Sequence, residues 1–525
     1  MAIRQTFIWG WILINRRKIL AGALTLTAAG VITRILGFVY RIYMSNLMGA
    51  EGMGLYQLIM PVYALAWSIS CAGFNTTVSK LTAQERAMGE YGNMNRMLKQ
   101  SVLITTVLGI LLTMSLYLGA GLLAEHFFND MRTLLPLQIL AMAFPFMAAG
   151  TCMRGYFIGL QEAKIPALNQ VLEQIIRMVV IYLLAARFVP RGLEYAAAVA
   201  LVAIVAEEIF SCAFVFVAYK LHKKKRRIFN SRPTLSSTQI FVLIMGMAMP
   251  LTGNRVAGSL LSAWENILIP QRLQMFGLSA TEAISEFGRI SGMAIPLIFF
   301  PTAVLTALSV TIVPAVSEAI ATNNIRGVSG MASKAMLFAS IIGMGAAALF
   351  LFFSHELGIA IYNQPIGFML QLLGIMCPFI YMQIILSGVL NGLGCQMFIF
   401  RNSLLSSAIS IAFIYFFVPQ FGLEAYIFGW LVSLVVVIAM GMRKIRQFMP
   451  MEMEFTKWFL RPLLAAAAAG LVSRYLANNF LLEIAGLRLG LVASITILMT
   501  IYLFGVMFTG CISVDEVKRL FAKNK

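Results

Sequence analysis

The stretch LTLTAAGVITRILGFVYRIYMSNL, residues 24–47, is long enough to cross a bilayer yet carries two arginines, Arg34 and Arg41. At about 100° per residue, a spacing of seven brings them within about 20° of each other on one helix face. An arginine at the bilayer centre costs about 2.5–3.5 kcal/mol on insertion scales, so a spanning helix keeps one only against a partner or a watery cavity. Two on one stripe predict a cavity wall, and Thr27, Gly30 and Ser45 fall within about 40° of the same line.

The rest of the chain agrees with a membrane setting. Its 525 residues are 60% hydrophobic and 12% charged, with a mean hydropathy of +0.86, whereas soluble domains are about 25% charged. Charge-free runs such as Gly52–Ser79, Ser101–Ala124, Thr133–Met153 and Leu489–Val514 recur. With the spans that single charges interrupt, they predict an all-α polytopic membrane protein of about 14 transmembrane helices. The net charge of +19 is unevenly spread: with an inside amino terminus, 28 Lys/Arg fall in cytoplasmic loops and tails, six outside and six in the spans. The positive-inside rule then places both termini in the cytoplasm. The basic run Lys220–Arg232 reads as a topology anchor on anionic lipid rather than a nucleic-acid site. The opening MAIRQTFIWGWILINRRKIL has too short an apolar stretch, and no small-x-small site, for a cleavable signal. The six cysteines form no CxxC pair and read as packing residues, with no metal expected.

A long repeat is visible. Pro145, Gly155, Gly159, Leu160 and Asn169 have identical counterparts 233 positions on, at Pro378, Gly388, Gly392, Leu393 and Asn402. Phe188-Val189-Pro190 recurs as Phe417-Val418-Pro419, and Gly192-Leu193-Glu194 as Gly422-Leu423-Glu424. Six spans per repeat make two lobes of the same orientation, 1–230 and 231–450, with 451–525 as an appended helical hairpin and cytoplasmic tail. Two such bundles are the usual chassis of alternating-access transporters.

The second repeat opens on QIFVLIMGMAMPLTGNRVAGSLLSAWENILIPQRL. With Asn254 at 0°, Arg255, Gly258, Ser259, Ser262, Glu265 and Asn266 fall between 0° and about 140°, and apolar residues fill the rest. Pro250 and Gly253 predict a break or kink just before this sector. Asn254 and Arg255 are candidate cavity residues, and Glu265 is a candidate for ion coupling. Arg289 opens the eighth span in EFGRISGMAIPLIFFP, where Gly and Pro interrupt the helix. Glu173 and Arg177 are spaced i,i+4 and are expected to form a structural ion pair. The three histidines lie at or beyond span ends, and there is no GxxxxGK[ST] loop, so neither an enzyme nor an ATP-driven pump is expected.

Thr33-Arg34-Ile35-Leu36-Gly37-Phe38-Val39-Tyr40-Arg41, followed by Gly49-Ala50-Glu51-Gly52-Met53-Gly54-Leu55-Tyr56, resembles the opening of the polysaccharide-transporter branch of the multidrug/oligosaccharidyl-lipid/polysaccharide exporter superfamily, and within it the stage V sporulation protein B family. Trp264–Leu273 and Gly288-Arg289-Ile290 with Pro296, Pro301, Pro314 and Ser317 are similar to it too. The resemblance implies a two-lobed, MATE-like fold and a flippase for undecaprenyl-pyrophosphate-linked saccharides, related to peptidoglycan-precursor (lipid II) flippases and active in spore-cortex synthesis. It implies a cationic cavity to which Arg34, Arg41 and Arg289 contribute. The expected partners are the lipid-linked oligosaccharide, membrane lipids and cell-wall synthesis enzymes, without nucleic acid. No cofactor is expected; coupling to Na⁺, H⁺ or membrane potential is. The alternatives are a cation-coupled multidrug antiporter, which should favour acidic cavity residues, and a non-transporting membrane scaffold.

Overall fold

The computed structural model describes residues 2–225, 233–322, 324–449 and 454–511. Part of the basic run (226–232) and the tail expected to be cytoplasmic (512–525) lie outside the described residues. Helices make up nearly everything described, with no strand among the described residues. In lipid no water is present to bond free backbone groups, so a spanning chain must satisfy them within its own helices.

The chain forms two compact units, 1–267 and 268–525. In the first, α1 (Ala2–Trp67) is two helices joined at Gly49, whose φ of 68° and ψ of −170° suit glycine alone. A π-helical turn, Ser68–Ala72, leads into α2 (Gly73–Met88). Then come α3 (Tyr91–Leu122), α4 (Leu134–Ala141), α5 (Phe144–Gly159), α6 (Lys164–Phe188) and α7 (Leu193–Lys225). The next helix, α8 (Ser237–Met275), is unbroken through Pro250 and Gly253, where the sequence predicts a break or kink. Its first half packs into the first unit: Ile240, Ile244 and Ala248 join a buried cluster with Phe74, Val78, Leu81 and Met94. The packing boundary thus falls inside α8, while the sequence repeat begins before it.

In the second unit, α9 (Ala280–Phe287) begins with a Ser279–Glu282 capping box. A π-helical turn, Gly288–Ala294, and α10 (Ile295–Phe299) follow, then α11 (Thr302–Ala321), α12 (Ile325–Leu357), α13 (Gly367–Gly392), α14 (Gln396–Phe416), α15 (Val418–Phe421) and α16 (Leu423–Arg446). The appended hairpin, α17 (Arg461–Leu476) and α18 (Leu482–Phe508), packs on α12: the buried Tyr502 hydroxyl donates to the Ile341 carbonyl at 2.7 Å, and Arg474 pairs with Glu356 at 2.6 Å.

Among the described residues, eleven helices are long and apolar enough to cross a bilayer, or twelve when Met131–Ala141 and Phe144–Gly159, bent by 44°, count as one span. The expected count of fourteen is not reached: Thr25–Met88, bent at Gly49, counts once among these, and α6 is not among them.

The repeat reappears as geometry inside each unit. A Cβ on Gly155 would stand 2.7 Å from the Asn75 carbonyl oxygen, and one on Gly388 2.9 Å from that of Ser309. A Cβ on Gly109 would meet Pro145 at 2.9 Å, and one on Gly343 would meet Pro378 at 2.5 Å. Asn75 and Ser309, and Gly109 and Gly343, are each 234 positions apart, against 233 for their partners. Lipid offers no hydrophobic drive to bring helices together, so small residues that let backbones approach supply the adhesion instead.

Candidate substrate-binding site

The arginine-bearing part of α1 divides into three sectors. With Arg34 at 0°, the buried Ala29, Thr33, Tyr40 and Met44 lie at about 220–280°, facing α6 and α7. Ile32, Ile35, Val39 and Tyr43, at about 100–180°, are 37–48% exposed and form an apolar face for lipid. Arg34 and Arg41 occupy a third face, exposed and half-buried respectively, which is closed one turn further on at the buried Ser45, and no ion pair engages either among the described residues.

On α8 the pattern is similar. One edge is held by Ala248 and Thr252 against Gly73, and by Ser259, whose hydroxyl lies 2.5 Å from that of Ser68. From Gly253 to Ile267 no residue is buried. Trp264 and Leu260, 63% and 51% exposed, form the apolar side. Asn254 and Arg255 are exposed on the polar side, and Arg255 has no ion pair among the described residues. Glu265 is half-buried further along the helix.

Arg289 differs. It sits in the π-helical turn of the second unit and pairs at 2.5 Å with Glu286, one turn earlier, so its charge is already partly offset.

The expected Glu173–Arg177 pair does not form. Glu173 accepts instead from Arg154 on α5 at 2.7 Å and from Ser211 on α7 at 2.5 Å, while Arg177 forks onto both oxygens of Glu207 on α7. Inter-helix partners win because the two residues face different neighbours across the α6–α7 interface, and a fork onto a buried carboxylate satisfies more of the guanidinium than an exposed i,i+4 contact. The rest of the cluster is polar: Arg154 also donates to Ser211 at 2.7 Å and Thr151 at 2.8 Å, and Asn169 donates to Glu173 at 2.7 Å. Arg177 lies over the Tyr40 ring at 5.7 Å, and Tyr63 donates to Glu208 at 2.6 Å.

Arg154, Glu207, Glu208 and Glu286 are therefore participants that sequence reasoning misses. Arg154 directly follows the charge-free run Thr133–Met153, where hydropathy alone places a loop, although the helix continues to Gly159. The adjacent pair Glu207-Glu208 in the middle of an apolar span is the available signal, since an intramembrane carboxylate needs a partner.

Comparison with known proteins fits this architecture. Residues 19–275 match the family model described as polysaccharide biosynthesis protein. The chain is 30% identical over 451 residues to stage V sporulation protein B of Bacillus subtilis (strain 168), covering 85% of this chain and 87% of that one. It is 26% identical over 369 residues to the lipid II flippase MurJ of the same organism, covering 66% and 65% of the two chains. Among solved structures, a lipid II flippase MurJ in an inward closed conformation superposes with a TM-score of 0.66 at 12% identity over 92% of this chain and 98% of that one. An inward-facing multidrug resistance MATE family transporter gives 0.65 at 14% identity over 81% and 98%. This multi-pass membrane protein, MATE-like in fold, belongs to the polysaccharide biosynthesis protein family, on the strength of its match along most of the length of stage V sporulation protein B.

Proposed function

We propose that the protein is a flippase that carries an undecaprenyl-pyrophosphate-linked saccharide, a peptidoglycan or spore-cortex precursor or another polysaccharide unit, from the inner to the outer leaflet of the bacterial plasma membrane by alternating access, with both termini cytoplasmic. The observation that carries this reading is a contrast among intramembrane arginines. Arg154, Arg177 and Arg289 are committed to carboxylates, whereas Arg34, Arg41 and Arg255 have no ion pair among the described residues and present their guanidinium groups on faces separate from the lipid-facing ones. A pyrophosphate supplies the acceptor oxygens that such groups bind through paired, charge-assisted hydrogen bonds. The resemblance to lipid II flippases supports the same substrate class. On this reading the protein is not an enzyme and needs no cofactor, membrane lipids and cell-wall synthesis enzymes surround it, and Na⁺, H⁺ or the membrane potential drives it with Glu265 as one coupling candidate.

The test is reconstitution of the full chain in liposomes with a labelled undecaprenyl-pyrophosphate sugar. Wild type should invert the lipid. Arg34→Gln and Arg41→Gln should each slow inversion about tenfold or more, the equivalent of one charge-assisted bond of about 1.5–3 kcal/mol, while Arg289→Gln should cost less because Glu286 already offsets its charge. Efflux of a cationic dye without lipid inversion would instead establish a multidrug antiporter.

A further inference from the structure

We propose that Glu208 is a proton site: its carboxyl takes one proton from water and returns it as the protein cycles, and this proton is the coupling ion of transport. The second half of that statement rests on the flippase reading; the first does not.

Three carboxylates, Glu173, Glu207 and Glu208, meet two guanidinium groups, Arg154 and Arg177, inside the first unit. Both oxygens of Glu207 are taken by Arg177, and Glu173 accepts from Arg154, Asn169 and Ser211. Glu208 is the carboxylate left over. It is 6% exposed, its Oε1 accepts from the Tyr63 hydroxyl at 2.6 Å, and its Oε2 has no hydrogen-bond partner among the described residues. An ionised carboxylate with a bare oxygen in a membrane interior is far costlier than the neutral acid, so adding a proton balances the cluster's charge and removes that cost. Among the described residues no ion pair engages Glu208 itself. Helix α4 carries no titratable group, and Arg132, in the short helix preceding it, is held by Asp130 and Glu51. Tyr40, Tyr63, Cys71 and Cys212 also stand within electrostatic reach of Glu207 or Glu208, and none of them is a cation.

The fold itself does not require these charges. In the second repeat, the positions of Arg154, Glu173 and Arg177 hold Ser387, Ser406 and Ser410, and those of Glu207 and Glu208 hold Val437 and Ile438, whereas Asn169 is kept as Asn402. There the same helix junction packs without an ion pair around a cavity of about 280 Å³ lined in part by Ser387, Asn402, Ser406 and Val437. The charged version is thus an addition to the scaffold. It also touches the substrate-binding helix, because Tyr40, which underlies Arg177, immediately precedes Arg41.

Two measurements on the full chain test this. In purified protein, infrared difference spectra across a pH titration should show a protonated-carboxyl band that is missing in Glu208→Gln and that titrates at a different pH in Tyr63→Phe. Since Gln resembles the neutral acid, Glu208→Gln should retain the thermal stability of wild type; a marked loss would identify Glu208 as an ionised structural partner and overturn the proposal. In liposomes, an imposed pH gradient should speed lipid inversion several-fold in wild type and leave Glu208→Gln unaffected. Equal acceleration in both, or no band lost in Glu208→Gln, overturns the proposal and leaves the flippase reading standing. Failure of wild type to invert the lipid removes that reading, and the carboxyl band still decides whether Glu208 holds a proton.

Discussion

Each intramembrane arginine of this protein is defined by what can reach its guanidinium group. Arg177 is closed on by Glu207, itself 2% exposed, and by the Tyr40 ring; Arg34, on the neighbouring helix, has neither. Removing one member of a buried pair leaves the other charge uncompensated, which costs about 3–5 kcal/mol. Glu207→Gln should therefore lower the melting temperature of the detergent-solubilised protein and its level in the membrane. A Glu207→Met, Arg177→Met double variant should recover much of that loss, because well-packed apolar side chains often replace a buried pair without penalty. Arg34→Gln, by contrast, should leave both readouts near wild type. The presence of charge at 34, 41, 173, 177, 255 and 289 is legible in the sequence, but its pairing is not. An i,i+4 spacing makes two groups neighbours on a helix surface, and only the packed neighbour decides whether a better partner, here Arg154 or Glu207, lies closer.

The elements owe their contacts to small side chains and their functional faces to periodicity. The lipid face and the arginine face of α1 follow from a 100° step, so the order of residues alone separates them. The packed sector exists only once α6 and α7 are in place. Close approach at Gly155 and Gly388 is the same contact made twice. A leucine at either position would push its Cβ to within 2.7 Å or 2.9 Å of a backbone oxygen, and helices held by van der Waals contact have little slack. Gly155→Leu and Gly388→Leu should each destabilise by at least about 1–3 kcal/mol, seen as earlier thermal unfolding in detergent. A loss confined to one of them would show that the two repeats are not held together in the same way. At Pro250, where a break or kink is expected, the helix is not broken: proline marks where a helix lacks a donor, yet α8 passes through it, since neighbouring helices and local adjustments in a membrane can absorb the missing bond.

At the scale of the whole chain, α8 belongs to the second repeat by sequence and to the first unit by packing over most of its length. Its last turns join the second unit, where Arg272 lies 3.7 Å above the Tyr415 ring and Phe276 packs on Gly422. A fragment 1–277, ending at Gly277 with its φ of +111°, should therefore accumulate in membranes and resist protease, whereas 1–232, deprived of Ile240, Ile244 and Ala248, should be degraded faster. Equal persistence of the two would mean that α8 adds nothing to the first unit. By itself the sequence determined the all-helical membrane class, the duplication, the arginine stripe of α1 and the family, because hydropathy, period and motif are properties of order along the chain. Only the tertiary structure decided which arginines pair with carboxylates and which have no ion pair among the described residues, and where the surplus carboxylate of Glu208 sits. Those depend on distances between residues tens of positions apart, and in a low-dielectric interior such distances govern the energy of every charge.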